Sequence, residues 1–182
     1  MMGLRIICIS TFLLLAHTSF GQNEDDGVAK KRSRFMIAIG HTIVGQGIND
    51  QGKRSWLSLP SWMIDYDYSL SKKWTIGLHN DLITESFKVE GYFLHEETTE
   101  IERSFPVASV VATTFKPGKH AVYSLGVGGE FSSTGNYFMT RLGFEYEFEL
   151  PGEWELAPTI TYDIKWNAYD SFNVGLGIGK RF

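Results

Sequence analysis

From Phe35 to the C-terminus, apolar side chains alternate with small or polar ones in one segment after another. In the last segment, Phe172, Val174, Leu176 and Ile178 alternate with one asparagine and three glycines. An amphipathic helix repeats its apolar residues every three or four positions, whereas a strand repeats them every two. The pattern therefore predicts β-strands throughout this part of the chain.

The alternation divides into eight strands that are separated by turn and loop sequences. The predicted strands are 34–44, 56–68, 74–87, 104–115, 120–131, 136–150, 153–166 and 170–182. Every second connection between strands is a tight turn, at 69–73, 116–119 and 151–152. These turns lie at the same end of the sheet as the start of the first strand and the end of the last. This order indicates an up-and-down antiparallel sheet. We therefore predict an all-β fold, an eight-stranded antiparallel up-and-down transmembrane β-barrel.

The volume of the side chains indicates which face of the barrel is apolar. The apolar positions carry on the order of 35 large side chains, whereas the interior of an eight-stranded barrel holds only a narrow packed column. We therefore expect the apolar face to meet lipid and the glycine-rich, polar face to line the lumen. The alternative is a soluble barrel of the lipocalin type, with its apolar face around a ligand.

The inward positions also carry many charges, for which we predict a polar network in the lumen. Its predicted members are Asp65, Asp67, His79, Asp81, Glu85, Arg141, Glu145, Asp163, Lys165 and Arg181. Such a network is expected because buried charges have to be paired. The alternative is a metal or proton site that combines His79, Asp81 and Glu85 with the two aspartates of the preceding strand.

Aromatic side chains of a transmembrane barrel collect in two belts at the membrane–water interfaces. Outward aromatic residues lie near the predicted strand ends, and we assign these belts to Tyr68, Trp74, Phe148, Trp154, Trp166 and Phe182. Between them the outward residues are mostly isoleucine, leucine and valine. This distribution favours the lipid-facing arrangement.

The first 21 residues are typical of a cleaved signal peptide, with Arg5 before a short apolar stretch and small residues before the predicted cut. Residues 22–34 are polar, with an acidic and then a basic cluster, and we predict a flexible leader there. The barrel then occupies 35–182. We expect export from the cytoplasm.

Composition excludes several other classes of protein. The formal charge of −4 argues against a nucleic-acid binder, which needs a concentrated basic surface. The single cysteine lies in the predicted signal peptide, so no disulfide framework is expected. Beyond the signal no apolar run is long enough for a membrane-spanning helix.

The strand pattern, the signal peptide and the terminal Phe182 together resemble the small eight-stranded outer-membrane barrels of Gram-negative bacteria, of the outer membrane protein A and outer membrane protein X type. The signal ending Ser-Phe-Gly-Gln is similar to those of Bacteroidota exports. The resemblance implies a location in the outer membrane and contact with its lipid. It also implies that the barrel assembly machinery recognises the C-terminal strand at Phe182.

For function, these features favour a non-catalytic barrel with a structural or adhesive role, a lumen filled by side chains and no cofactor. The long acidic loop 88–103 is a candidate site for an extracellular partner. The alternatives are a lipid A-modifying enzyme and, third, a soluble periplasmic carrier. His41 and Ser58 share the outward face and suggest the enzyme, although we find no His-x-Ser motif of the deacylase type and no evident third catalytic residue.

Overall fold

The computed structural model describes residues 32–91 and 99–182, and these form one continuous antiparallel sheet. The strands are β1 (Ser33–Ile48), β2 (Arg54–Ser69), β3 (Trp74–Ile83), β4 (Phe87–Gly91), β5 (Thr99–Arg103), β6 (Val107–Phe115), β7 (Ala121–Ser132), β8 (Gly135–Tyr146), β9 (Phe148–Leu150), β10 (Trp154–Lys165) and β11 (Asp170–Arg181). Within these ranges no helix has the length and apolar character needed to cross a membrane.

The sheet closes into an eight-stranded barrel because β1 pairs with β11 along most of its length, from Arg34 opposite Arg181 to Val44 opposite Ser171. Around the wall the order is β1, β2, β3, β6, β7, β8, β10 and β11, with β9 continuing β8 along β10. Closure leaves the wall without an open edge, as lipid requires. The predicted fold is therefore confirmed.

The two faces of the wall differ as the alternation predicts. Leu176 and Ile160 point outward and are 50% and 44% exposed, whereas Asp163 is 2% exposed in the interior. Most large apolar side chains of the wall lie on the outer face. Together they form a continuous apolar surface far larger than the patches that water-soluble proteins expose. The soluble arrangement, with a sealed apolar interior and charges outside, is absent from the described strands.

The barrel has two unlike ends. The turn end holds the connections 70–73, 116–120 and 151–153, together with Ser33 and Phe182. The Pro151–Gly152 turn uses a glycine with φ of +74°, a conformation that L-residues adopt with strain. The opposite end, called the hairpin end below, holds the connections 49–53, 133–134 and 166–169 and the hairpin β4–β5.

The hairpin β4–β5 folds across the opening at its own end. In sequence it follows β3, which lies in the wall between β2 and β6. Val89 nevertheless pairs with Gly47 of β1, on the same edge of β1 that pairs with β11 nearer the turn end. Its underside, formed by Phe87, Val89 and Ile101, packs on inward apolar residues of the wall. The hairpin therefore caps the lumen.

This cap differs from the strand boundaries expected from the alternation. We predict strands at 74–87 and 104–115, but β3 ends at Ile83 and β6 begins at Val107, and β4 and β5 lie outside the wall. The residues of β4 and β5 still alternate with a period of two, because these two strands pair with each other. Periodicity alone gives no sign of the change in direction.

Candidate functional site

The barrel interior contains the polar side chains, arranged in layers from one end to the other. At the turn end, Arg34 donates hydrogen bonds to Asp67 at 3.0 Å and to Glu145 at 2.6 Å, and it also pairs with Glu155. Arg34 is 7% exposed, and its strand β1 carries it inward at the same parity as Met36 and Ala38. One guanidinium thus joins carboxylates from three other strands.

Arg181 and Lys116 complete the layer at the turn end. Arg181 donates to Glu155 at 2.9 Å and to Glu147 at 2.8 Å, and Lys116 pairs with the other oxygen of Glu147. The carboxylate oxygens of Glu145, Glu147 and Glu155 lie within 4.8 Å of one another, a spacing that suits a metal ion. Each of these carboxylates already has an arginine or lysine partner, so this group is an ion-pair network.

A second layer lies at the middle of the barrel. Arg141 of β8 donates two hydrogen bonds of 2.7 Å to Asp163 of β10 and also pairs with Asp81 of β3. The Asn173 amide donates to Asp163 at 3.1 Å and to Asp81 at 3.2 Å. The bidentate geometry is the one that guanidinium and carboxylate groups favour.

Between these layers lies a cavity of about 40 Å³. His79 bonds to Asp67 at its edge, with 3.0 Å between Nε2 and Oδ1. Gly77 is opposite Asp67 in the ladder, where an added Cβ would lie 2.1 Å from that same Oδ1. The glycine therefore makes room for the buried carboxylate.

A third layer fastens the hairpin to the wall. Arg103 of β5 donates from Nε to Glu130 of β7 at 2.9 Å and from Nη1 to the Gly135 carbonyl at 2.8 Å. The Tyr169 hydroxyl donates to Glu130 at 2.7 Å, and Lys165 lies 3.4 Å from the same carboxylate. Burial, together with the negative charge of Glu130, raises the pKa of Tyr169 well above its usual value, so it stays a donor.

Nine of the ten residues assigned to the lumen network lie on the inner face of the described barrel. They are Asp65, Asp67, His79, Asp81, Arg141, Glu145, Asp163, Lys165 and Arg181. Glu85 is exposed in the connection 84–86, so its assignment to the lumen is wrong. The chain leaves the wall at Ile83, and the two-residue period no longer applies at Glu85.

The alternative metal site depended on the same misplaced residue. Without Glu85, the acids near His79 are Asp65, Asp67 and Asp81, and the last two already bind arginines. The arrangement does not bring His79, Asp81 and Glu85 together as ligands.

Several interior residues are not among the predicted members of the lumen network. They are Arg34, Arg103, Glu130, Glu147, Glu155, Tyr169 and Asn173. The alternation does indicate an inward position for two of them. Glu147 lies two residues after the inward Glu145, and Glu155 lies an even number of residues before the inward Asp163. Arg34 lies in both the polar leader 22–34 and the first predicted strand 34–44, and β1 begins at Ser33, so it belongs to the strand. No pattern in the sequence indicates that Arg103 and Tyr169 contact Glu130.

The aromatic residues assigned to the two belts lie on the outer side of the wall. Tyr68, Phe148, Trp154 and Phe182 are between 39% and 57% exposed at the turn end. Trp74, also at this end, packs against Phe115, with 4.8 Å between ring centroids and an interplanar angle of 38°. Trp166 lies at the hairpin end, where its indole donates to Thr140 at 3.0 Å.

The outer face also carries one polar pair. His41 of β1 and Ser58 of β2 are both exposed, with 3.0 Å between Nδ1 and Oγ. Among the described residues no carboxylate is bonded to the other ring nitrogen. The pair is thus a dyad without a third member in the described ranges.

Comparison with known proteins agrees with this architecture. No protein-family model and no curated protein matches the sequence. Solved structures of similar fold include Ail, the attachment invasion locus protein of Yersinia pestis, and the N-terminal β-barrel domain of OprF of Pseudomonas aeruginosa. The Ail match has a TM-score of 0.51 and 14% identity, covering 84% of this chain and 99% of Ail. The OprF match has a TM-score of 0.51 and 12% identity, covering 84% and 98%.

The chain has the fold of the small eight-stranded outer-membrane barrels. The resemblance that the strand pattern predicts is therefore confirmed at the level of fold. The identities of 14% and 12% support the fold and no shared activity.

Proposed function

We propose that this protein is a non-catalytic outer-membrane barrel that presents the hairpin β4–β5 as an interaction surface outside the cell. The observation that carries the proposal is the contrast between the two faces of the hairpin. Its underside is buried on the barrel, with Val89 and Arg103 both at 0% exposure. Its outer face displays Lys88, Glu90, Glu100 and Glu102.

The placement of this hairpin outside the cell follows from the two unlike ends of the barrel. Outer-membrane barrels have short turns on the periplasmic side and longer loops on the extracellular side. The turn end would accordingly face the periplasm, and the hairpin end the exterior. The apolar outer face between them would lie in the lipid.

The shape of the hairpin favours binding, because its outer face is held in place before any partner arrives. A buried underside and the cross-strand pair of Lys88 and Glu100, 2.6 Å apart, limit its freedom. A surface that is already ordered loses little conformational entropy on association. Carboxylates predominate on this face, so we infer that the partner offers a basic surface.

The same proposal includes a lumen without an open pore. Its support is the filling of the interior by large buried side chains, among them Arg103, Arg141, Met36, Met139 and Tyr169. Purified protein in planar lipid bilayers should therefore give no steady channel conductance. Stable single-channel steps would contradict this part of the proposal.

The orientation can be tested by cysteine labelling on intact cells, since the only native cysteine is Cys8 in the predicted signal peptide. Glu102→Cys should react with a membrane-impermeant maleimide on whole cells. Lys119→Cys, in the turn 116–120, should react only after the outer membrane is permeabilised. The reverse pattern would place the hairpin in the periplasm.

The interaction surface is tested by removing its negative charge. Glu90→Gln, Glu100→Gln and Glu102→Gln together should reduce binding of the detergent-solubilised barrel to immobilised polylysine. Glu149→Gln and Glu153→Gln, exposed at the turn end, provide a control with an unchanged hairpin. Equal loss in both variants would indicate an effect of net charge and would contradict a hairpin site.

Export and assembly form a further part of the proposal. We infer that residues 1–21, which lie outside the described residues, are removed as a signal peptide, and that the assembly machinery recognises Phe182. Sequencing of the mature protein should begin at Gln22. Phe182→Ala should lower the folded fraction, measured by heat-modifiable gel mobility, and an unchanged fraction would contradict this role.

A lipid-modifying enzyme is the second candidate, and the hydrogen-bonded pair His41–Ser58 on the lipid side favours it. A serine activated by histidine could transfer or hydrolyse an acyl chain. Lipid A from cells that express the protein, compared with Ser58→Ala, would then differ in acyl content by mass spectrometry. An identical acyl pattern would remove this candidate.

A further inference from the structure

Asp65 occupies an unusual place among the interior charges. Its side chain comes from β2 and is 7% exposed, but Oδ1 has no hydrogen-bond partner among the described residues. The neighbouring carboxylates have partners: Asp67 bonds to Arg34 and His79, and Asp81 pairs with Arg141. A buried carboxylate without a partner is costly, because it loses its hydration without compensation.

The cavity of about 40 Å³ lies beside this carboxylate. Six of its other lining residues carry hydroxyl groups: Ser69, Thr75, Thr114, Ser124, Thr159 and Thr161. Arg34, Arg141 and Arg181 also line it, and each is already paired with carboxylates. Oxygen atoms are the ligands that hard cations prefer. One buried water needs about 10–15 Å³ of cavity volume, so the size of this cavity suits a single cation with one or two waters.

The charges around the cavity also leave a deficit of positive charge. Seven carboxylates lie in the turn-end and middle layers: Asp65, Asp67, Asp81, Glu145, Glu147, Glu155 and Asp163. Four arginine and lysine side chains accompany them, Arg34, Lys116, Arg141 and Arg181, and the His79 imidazole bonds to Asp67. At the hairpin end Arg103 and Lys165 face Glu130, and these do not make up the difference.

We propose that the cavity beside Asp65 binds one monovalent hard cation, Na⁺ or K⁺. Asp65 supplies the charged ligand, and the hydroxyl groups and water supply the remaining oxygens. A single positive charge matches the single unpaired carboxylate, because Asp67 and Asp81 are already held by arginines. His79 faces Asp65 in the ladder, but its ring bonds to Asp67, so the Oδ1 atom of Asp65 stays without a partner among the described residues.

The cation would enter from the turn end. The cavity extends from Asp65 toward Ser69, Thr75 and Arg181, which lie at or beside that end of the barrel. The cap on the opposite side is formed by apolar residues around Val89 and Tyr169. The site would therefore respond to the ions of the compartment that the turn end faces.

The test compares unfolding of the folded barrel in NaCl and in choline chloride at equal ionic strength, in uncharged lipid vesicles. A ligand that binds only the folded state lowers the unfolding equilibrium constant by the factor 1 + [L]/Kd, about tenfold at ten times Kd. We expect a lower unfolding constant in NaCl for the wild type. Asp65→Asn should remove this difference, whereas Glu102→Gln, at the exposed face of the hairpin, should retain it.

A second measurement uses the wild type alone, in case Asp65→Asn folds poorly. Sodium-NMR lines should broaden when the barrel is added, and K⁺ but not choline should reverse the broadening. Equal unfolding in both salts would overturn the proposal, as would an equal sodium effect in Asp65→Asn. A protonated-carboxyl infrared band at neutral pH that Asp65→Asn removes would also overturn it.

Discussion

The two ends of the barrel interior are filled by different means. At the turn end, Arg34 and Arg181 link carboxylates of several strands. At the hairpin end, an apolar cluster containing Val89 and Tyr169 surrounds one buried ion-pair group. The turn end is filled from the wall itself, whereas the hairpin end needs a segment that leaves the wall and folds back.

The difference shows that the inward positions of the same alternating strands can be filled in two ways, by paired charges or by apolar side chains under a cover. Inward positions with charges satisfy one another across a narrow lumen, where each guanidinium reaches several strands. Inward positions with apolar side chains near an opening would instead face water, so they need a cover. The hairpin supplies the cover, and its outer face becomes free to carry charge.

The largest expected effect is in the ion-pair layers. Arg141→Met should lower the free energy of unfolding by about 3–5 kcal/mol, because Asp81 and Asp163 would remain as unpaired buried carboxylates. Urea unfolding in lipid vesicles measures the loss. Adding Asp81→Asn and Asp163→Asn to the same variant should recover part of the stability, and no recovery would argue against a charge effect.

The wall that both ends share is tested from the lipid side. Leu176→Arg should cost about 2–4 kcal/mol if residue 176 lies near the bilayer midplane. Leu176 is half exposed on the outer face and lies in the middle of β11. The same urea titration applies, with Leu176→Met as the size-matched control. An arginine variant as stable as the methionine variant would contradict the lipid-facing placement.

At the hairpin end a comparable substitution should have a smaller effect. Arg103→Met should cost about 1–3 kcal/mol, because Glu130 keeps Tyr169 and Lys165 as partners. We expect the hairpin to open before the barrel unfolds, so proteolysis within 84–106 should accelerate. Glu102→Gln, next in sequence and outward, serves as control. Equal protection of Arg103→Met and wild type would show that the apolar underside suffices.

The smallest effect is expected on the outer face of the hairpin. The hydrogen bond to Glu100 raises the pKa of Lys88, so whatever the pair contributes is present at neutral pH and is lost as the pH rises through that pKa. Exposed pairs of this kind contribute little. Lys88→Met should leave the urea midpoint unchanged, and a clear loss would mean that the outer face helps to hold the cap.

Much of the architecture could be predicted because the relevant information is local. Whether a residue faces lipid or lumen depends on its parity within a strand, and parity is visible in the sequence. The same reasoning placed Asp163 and Arg141 inside and Leu176 outside. It failed at Glu85, where the chain bends away from the wall and parity loses its meaning.

The amino-acid sequence by itself determined the strands, their up-and-down order and the orientation of the two faces, because alternation and turn residues act over a few neighbouring positions. Only the tertiary structure decided that β4 and β5 fold over the lumen and that Arg103 meets Glu130. It also decided which interior carboxylates find a cation. These outcomes depend on distances between strands that are far apart in sequence, which no local pattern specifies.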